Sequence, residues 1–131
     1  MSLEVVAAII FFENKILVTQ RKFDKNAAFS YKYEFPGGKV ENNEDKIAAL
    51  RRELMEELNL EISSFKHFVS YSYNYDINEI KLNFFLSNVK ELKITLKVHQ
   101  SYRLVTVKQL SQLDWLAADY EVIKMLQSKY L

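Results

Sequence analysis

The chain has 131 residues, a length that suits one domain with a single core, so we treat residues 1–131 as that domain. Its 18 basic residues nearly balance its 17 acidic ones without blocks of like charge, which argues against a nucleic-acid polymer or an anionic membrane as a partner. Cysteine is absent, which excludes disulfides, thiolate metal sites and a cysteine nucleophile and fits a reducing compartment such as the cytoplasm.

The first predicted elements are two strands joined by a hairpin. β-Branched and aromatic residues are concentrated at 5–12 and 16–20, and the polar residues 13–15 between them suit a short turn. Such a connection makes the two strands antiparallel neighbours. Residues 24–28 are then expected to form a loop, and residues 31–35 an extended segment that leads to a glycine turn.

A helix is predicted next, from residue 45 or 46 to Leu58. Asp45 is suited to cap its N-terminus, because aspartate there can accept a backbone N–H and faces the positive end of the helix dipole. An apolar stripe repeats at the spacing of a helix docked on a core, and its members are Ile47, Leu50, Leu54 and Leu58.

The second half of the chain predicts three strands and a final helix. The odd positions of 65–75 are mostly aromatic or aliphatic and alternate with polar residues, which is the period of a half-buried strand. Residues 80–86 repeat this pattern after a turn at 76–79, and a strand at 102–107 precedes a helix at about 118–129. Strands and helices interleave without the regular alternation of a doubly wound sheet, which indicates an α+β layered domain.

Three carboxylates share one face of the helix that ends at Leu58. Glu53, Glu56 and Glu57 stand at i, i+3 and i+4, positions that an α-helix brings to the same side. They repel one another, and Mg²⁺ prefers carboxylate oxygens while keeping waters that substrate phosphates can replace. The same spacing also occurs on an ordinary solvated acidic face, so the helix alone leaves both interpretations open.

The only proline of the chain and both of its glycines stand together ahead of this helix, as Pro36, Gly37 and Gly38. Glycine permits positive φ and close backbone approach, and proline fixes φ, so these residues specify a backbone shape. One interpretation is a tight connection from strand to helix. The other is a turn that presents its backbone groups to a ligand.

The glycine turn and the helix together resemble the signature of the Nudix hydrolase superfamily, G-x5-E-x7-R-E-U-x-E-E-x-G-U, in which U is aliphatic. The matching residues are Gly38, Glu44, Arg52, Glu53, Leu54, Glu56, Glu57 and Leu60. Asn59 replaces the glycine of the family, and asparagine tolerates the left-handed conformation that closes a helix. The residues from Tyr33 to Pro36 resemble the MutT-like branch. The resemblance implies the Nudix fold, an α/β/α sandwich with a mixed, mostly antiparallel central sheet.

The resemblance also implies roles at the phosphate end of a substrate. Family members hydrolyse nucleoside diphosphate derivatives with water and a divalent metal, here Mg²⁺ with Mn²⁺ as a substitute, and form no covalent enzyme intermediate. Glu56, Glu57 and the backbone carbonyl of Gly37 would be metal ligands. Glu53 would be either a further ligand or the base that accepts a proton from water. Arg52 would orient Glu53 through a charge-assisted hydrogen bond.

Four residues are expected to bind the substrate on the same grounds. Lys39 directly follows the glycines and is placed to meet a phosphate. Asp119, near the start of the last helix, stands where relatives carry a polar residue that recognises the base, although aspartate is also a favoured helix N-cap. Phe35 is expected to stack on the base, and Arg21 to contact the base or a phosphate.

Two positions of the motif region have competing interpretations. Many MutT-like relatives draw one more acidic ligand from a Glu-His pair where this chain has Val98 and His99, so that ligand is expected to be missing. One interpretation is that His99 replaces this ligand. The favoured interpretation is that His99 is structural, because a lone histidine is more often a loop or core residue and Mg²⁺ favours oxygen. Glu44 belongs to the signature but lies at the helix start, where a role near the dipole competes with metal binding.

These features predict a Mg²⁺-dependent nucleoside triphosphate pyrophosphohydrolase that releases nucleoside monophosphate and pyrophosphate. Oxidised dGTP and cytidine triphosphates are rival substrates, and Asp119 favours the cytidine type because the oxidised-guanine type often has Asn there. Other nucleoside diphosphate derivatives are an alternative substrate class, and a non-catalytic Nudix ligand-binding or sensor module is the alternative function. The expected partner is a small nucleotide, and the expected state is a monomer or homodimer.

Overall fold

The computed structural model describes residues 2–76 and 78–131. In that part of the chain a sheet of seven strands packs against two α-helices, and none of the helices is long and apolar enough to cross a membrane. The strands are β1 (Ser2–Phe12), β2 (Lys15–Gln20), β3 (Tyr33–Glu34), β4 (Gly37–Lys39), β5 (Lys66–Tyr75), β6 (Asn78–Asn88) and β7 (Ser101–Val105), and the helices are α1 (Lys46–Leu58) and α2 (Tyr120–Tyr130). Two 3₁₀ turns, Lys108–Gln112 and Ala117–Asp119, precede α2.

β1 lies at the centre of the sheet. The strand order is β3-β2-β1-β6-β5, while β4 also pairs with β1 and β7 also pairs with β2. β1 and β6 are parallel, with Ala7 opposite Phe84, and the other pairs of these strands are antiparallel. The sheet is therefore mixed and mostly antiparallel, which confirms the fold class expected from the sequence.

Each face of the sheet carries its own hydrophobic core, because successive side chains of a strand point to opposite faces. One core joins β1 to α1, and its buried members include Val6, Ala8, Ile10, Leu50, Leu54 and Leu58. The other joins β1 and β6 to α2, and its buried members include Ile9, Phe84, Trp115, Val122, Ile123 and Leu126. One helix on each face of the sheet completes the α/β/α sandwich.

Both ends of α1 are where the sequence predicts them. The Asp45 carboxylate accepts a hydrogen bond from the Ala48 N–H at 3.3 Å, so Asp45 is the N-cap. Asn59 adopts the left-handed conformation, with φ 52° and ψ 41°, and its N–H donates to the Met55 carbonyl at 3.1 Å. Asparagine therefore closes the helix here in place of the glycine of the signature.

Several boundaries differ from the sequence predictions. β7 ends at Val105 although the alternating pattern continues to residue 107, and α2 begins at Tyr120 because a 3₁₀ turn occupies the residues before it. The turn expected at 76–79 is shorter, since β6 begins at Asn78; residue 77 lies outside the described residues. Tyr31 was expected to be extended but has a φ of 59°, so only Tyr33–Glu34 pairs as β3.

Candidate active site

The turn that leads towards α1 lies directly against β1. Residues Gly37–Lys39 form β4, which pairs antiparallel with β1 and sets Gly37 opposite Ala7. Gly37 has a φ of 157°, and a Cβ there would overlap the carbonyl of Val6 and the Cα of Ala7. Glycine is required at this position because no side chain fits between the turn and the strand.

Gly38 makes room for a carboxylate of α1. A Cβ on Gly38 would overlap the carboxyl group of Glu53. The lack of a side chain therefore lets the Glu53 carboxylate lie directly on the glycine turn. The two glycines thus have different functions. Gly37 allows the turn to approach β1, and Gly38 leaves space for the carboxylate of Glu53.

Arg52 connects the acidic residues of α1 to the glycine turn. Its Nε donates to Glu44 Oε2 at 2.8 Å and its Nη2 to Glu44 Oε1 at 2.9 Å, which is a bidentate pair. Its Nη1 lies 2.9 Å from Glu53 Oε1 and 3.3 Å from Glu56 Oε2. Nη2 also donates to the backbone carbonyl of Lys39 at 2.9 Å. Arg52 therefore fixes the direction of the Glu53 carboxylate.

Glu44 is an ion-pair partner of Arg52. The hydrogen bond from Arg52 lowers the pKa of Glu44 to about 2, and the same hydrogen bond raises the pKa of Arg52 above its usual range. Glu44 Oε1 also accepts the backbone N–H of Glu41 at 3.0 Å. Of the two interpretations that the sequence left open for Glu44, this placement favours the structural one.

The remaining carboxylates of α1 differ in their exposure. The Glu56 side chain is 57 % exposed, whereas Glu53 and Glu57 are partly buried. Burial raises the pKa of Glu53 in spite of its hydrogen bond from Arg52. Burial, followed by the charge of Glu34, raises the pKa of Glu57 to about 8. Both carboxylates therefore occupy surroundings in which a nearby cation would favour the charged form.

The donor set of this region fits a hard divalent cation. Mg²⁺ and Mn²⁺ prefer carboxylate and carbonyl oxygens, and the buried Oε1 of Glu57 has no hydrogen-bond partner in the described part of the chain. No three acidic or histidine side chains among the described residues converge closely enough to hold one ion as placed. Arg52 donates hydrogen bonds to both Glu53 and Glu56. Of the three carboxylates, Glu57 is therefore the one with an oxygen available to a cation.

The residues predicted to bind substrate come together in one cavity of about 530 Å³, and they are Arg21, Phe35, Lys39 and Asp119. Two of the predicted metal ligands, Gly37 and Glu57, line the same cavity. Glu53 and Glu56 are not part of this lining. The cavity therefore extends from the glycine turn to the start of α2, and both the buried Asp119 and the phosphate-binding candidate Lys39 line it.

Asp119 is 5 % exposed and makes no capping hydrogen bond, although it precedes α2 directly. The sequence also suggested that the Asp119 side chain caps this helix, and that interpretation is wrong. Burial, followed by the charge of Glu34, raises the pKa of Asp119 well above its ordinary value, and a hydrogen bond from the Phe35 backbone opposes the shift. The surroundings thus favour the protonated acid, which offers one donor and one acceptor.

The Phe35 ring belongs to the hydrophobic core and is 4 % exposed. It stacks on Trp115 with ring centroids 4.8 Å apart, and it meets Phe84 edge to face at 6.1 Å. The sequence led us to expect that a base stacks on this ring, but the ring exposes little surface on which a base could stack. The contact of Phe35 with Asp119 is made by its backbone.

An aromatic wall of the cavity was missed by the sequence analysis. Phe29 and Tyr75 both line the cavity, with ring centroids 5.7 Å apart. The guanidinium of Arg21 lies 5.5 Å from the centroid of the Phe29 ring. Phe29 comes from the loop between β2 and β3, and the only sequence signal was an apolar ring directly after the loop predicted at 24–28.

A second missed feature is the network around Glu34. Its Oε1 lies 3.3 Å from Arg21 Nη1, and its Oε2 lies 2.8 Å from His99 Nε2. The His99 side chain is 2 % exposed, while its neighbour Val98 is 51 % exposed. His99 is therefore a buried structural residue, as expected, and it holds a carboxylate that the sequence analysis had not selected.

Comparison with known proteins places this fold and site in a family. Residues 1–126 match the family model of the NUDIX domain. An 8-oxo-dGTP diphosphatase of Buchnera aphidicola subsp. Schizaphis graminum is 34 % identical over 123 residues, which cover 94 % of this chain and 92 % of that protein. A CTP pyrophosphohydrolase of Escherichia coli strain K12 is 38 % identical over 103 residues, 79 % of this chain and 73 % of that protein.

A solved structure, the solution structure of the E. coli ORF135 protein, matches with a TM-score of 0.85 and 29 % sequence identity, over 97 % of this chain and 89 % of that one. The protein therefore belongs to the Nudix family. Within it, the chain is a MutT-like hydrolase that acts on nucleotide pyrophosphate anhydrides.

Proposed function

We propose that the protein is a divalent-metal-dependent nucleoside triphosphate pyrophosphohydrolase, which converts a nucleoside triphosphate and water to nucleoside monophosphate and pyrophosphate. The observation that carries this proposal is one cavity lined both by Glu57 with the glycine turn and by the buried Asp119. The end of the cavity at Glu57 and the glycine turn offers oxygen ligands and the positive charge of Lys39. The end at Asp119 offers a buried polar group. A nucleoside triphosphate has a matching anionic end and a hydrogen-bonding base.

The residues of α1 and the glycine turn have distinct roles in this reaction. A divalent metal, when bound, supplies charge to screen the phosphates and lowers the pKa of a water molecule. Glu56, Glu57 and the Gly37 carbonyl would hold it. Glu53, fixed between Gly38 and Arg52, would be a further ligand or would accept the proton of the attacking water. Lys39 would bind a phosphate oxygen.

Cytidine triphosphates are the substrates that we propose first. A protonated Asp119 offers a donor beside an acceptor, and cytosine presents the complement, its N3 acceptor beside the N4 amino donor. The E. coli relative named CTP pyrophosphohydrolase supports this choice. Oxidised dGTP is the second candidate, because the Buchnera relative that covers more of the chain is an 8-oxo-dGTP diphosphatase. The N7–H and O6 of 8-oxoguanine also pair a donor with an acceptor.

A nucleotide panel tests the proposed reaction. The purified protein is incubated with Mg²⁺ and each of CTP, dCTP, UTP, ATP, GTP and 8-oxo-dGTP, and the products are separated by ion-exchange chromatography. We expect nucleoside monophosphate and pyrophosphate in equal amounts, with the highest kcat/KM for the cytidine nucleotides. Release of single phosphate, or no hydrolysis of any triphosphate in the panel, contradicts the proposal.

The proposed setting is the cytoplasmic nucleotide pool, with the protein acting as a monomer or homodimer on a small nucleotide. The cysteine-free composition fits that reducing compartment. A highest kcat/KM for 8-oxo-dGTP in the panel would make removal of damaged nucleotides the function. A highest value for CTP or dCTP would make control of cytidine nucleotides the function.

A further inference from the structure

The start of α2 is capped by a strand of the sheet. Asp119 holds the N-cap position of α2 but makes no side-chain capping hydrogen bond. An N-cap aspartate ordinarily accepts the N–H of the second or third residue of the helix. Here the third residue, Val122, donates its N–H to Tyr71 Oη at 3.2 Å. The Tyr71 hydroxyl of β5 thus makes the bond that an N-cap aspartate would make.

Two tyrosines of β5 share this cap. Tyr71 Oη donates its own proton to the carbonyl of Ala118 at 2.6 Å. Tyr75 Oη accepts the N–H of Ala118 at 3.2 Å. Both backbone groups of the residue before Asp119 are therefore held by side chains from the sheet. This fixes the backbone next to Asp119 without using its carboxyl group.

The carboxyl group of Asp119 is consequently available to the cavity. It is buried, it lines the cavity, and it accepts a hydrogen bond from the Phe35 backbone. Since Tyr71 already binds the Val122 N–H, that N–H does not compete for the carboxyl group. Tyr71 itself does not line the cavity, whereas Tyr75 does, beside Phe29.

We propose that Tyr71 and Tyr75 are positioning residues for base specificity, because their hydroxyls cap α2 and leave the Asp119 carboxyl group facing the nucleobase. The inference rests on the proposed function, since it takes Asp119 as the group that contacts the base. Base specificity then depends on two hydroxyl groups of the sheet, and one of them, that of Tyr71, lies outside the cavity. Removal of the Tyr71 hydroxyl releases the Ala118 carbonyl and the Val122 N–H. The backbone that carries Asp119 is then no longer fixed, and its carboxyl group loses its direction towards the base.

Tyr71→Phe is the principal test, and Tyr73→Phe is its matched control. Tyr73 lies between the two tyrosines on β5, packs on the same core, and makes no hydrogen bond to α2 among those that the structure describes. We expect Tyr71→Phe to reduce the ratio of kcat/KM between the best and the other nucleotides by about tenfold, which corresponds to the loss of one hydrogen bond to the base. Tyr73→Phe should keep the wild-type ratio.

A double-mutant cycle with Asp119→Ala separates positioning from stability. If Tyr71 acts through Asp119, Tyr71→Phe causes no further loss of selectivity in the Asp119→Ala background. An additional loss of the same size in that background overturns the inference. So does a Tyr71→Phe protein that has a lower Tm but the selectivity of the wild type.

Tyr75→Phe keeps the inference testable if Tyr71→Phe does not fold. It removes only the acceptor for the Ala118 N–H, so we expect a smaller loss of selectivity. The affinities for CMP and GMP, measured by calorimetry without metal, give a second measure of base selectivity. A wild-type protein that hydrolyses no triphosphate contradicts the proposed function, whereas equal monophosphate selectivity in the wild type and in the Tyr→Phe variants that fold contradicts the inference.

Discussion

The phosphate side and the base side of the cavity are built in opposite ways. The phosphate side comes from one stretch of chain, Gly37 to Glu57, and its side chains are charged and tied together by Arg52 across at most 13 positions. The base side brings β2, β5 and α2 together, and the bond from Tyr71 to Ala118 joins residues 47 positions apart. In the proposed function, the chemistry is thus encoded in a local motif, whereas specificity depends on the tertiary fold.

Glu34 is the residue between the two sides. It is held by Arg21 and His99, and its charge raises the pKa of both Glu57 and Asp119. The two sides otherwise rest on different elements, the phosphate side on β4 and α1 and the base side on β2, β5 and α2. Substitutions on the phosphate side should therefore slow every nucleotide alike, and substitutions on the base side should change the order of preference.

The largest effect is expected from Glu53→Gln. Glutamine preserves the shape of Glu53 but cannot accept a proton, so kcat should fall by roughly 10²- to 10⁴-fold for every nucleotide. The measurement is steady-state kinetics together with circular dichroism, which should show an unchanged fold. Glu61→Gln, an exposed acid just beyond α1, is the control and should behave like the wild type. Turnover of Glu53→Gln within a factor of about two of the wild type would show that Glu53 has no part in the chemistry.

A smaller loss is expected from Arg52→Lys. Lysine keeps the charge but cannot form the bidentate pair with Glu44 while also holding Glu53, so kcat should fall about tenfold, equivalent to one charge-assisted hydrogen bond. Arg51→Lys is the matched control, because Arg51 donates to the Ser63 carbonyl away from the carboxylates. Kinetics and urea unfolding of both variants check this. Equal losses in the two variants would remove the special role of Arg52.

The last prediction concerns stability rather than turnover, through the pH dependence that Asp119 causes. Its pKa is raised in the folded protein, so the folded state keeps a proton that the unfolded state releases above about pH 4. The free energy of unfolding therefore falls as pH rises from there to the folded pKa, by on the order of 1 kcal/mol per pH unit. Asp119→Asn has no proton to lose. Its Tm relative to the wild type should rise as the pH increases above about 4, and parallel curves would contradict this.

The sequence predicted where the glycine turn and α1 lie because their determinants are local. Helical periodicity and caps located α1 from Asp45 to Asn59, and glycine chemistry located the turn. The base side depends on contacts that no local pattern contains. Asp119 was a reasonable N-cap candidate until Tyr71, 51 positions from Val122, was found to make that bond.

The same limit applies to the buried network. Glu34 and His99 are 65 positions apart, and no local sequence pattern indicates that they pair. Phe35 was assigned to stacking from its place in the motif, but the tertiary contact with Trp115 covers its ring. The fold class, by contrast, followed from the family resemblance, and the strand pairing and the two helix faces confirm it.

The most direct test of the two-sided site is the ratio of kcat/KM for CTP to kcat/KM for GTP, measured for the wild type, Glu53→Gln and Asp119→Asn. We expect Glu53→Gln to lower both values by the same factor and keep the ratio. We expect Asp119→Asn to change the ratio by about tenfold while the kcat for its best substrate stays near that of the wild type. A ratio that changes in Glu53→Gln, or a uniform loss in Asp119→Asn, would contradict the separation of chemistry from base recognition.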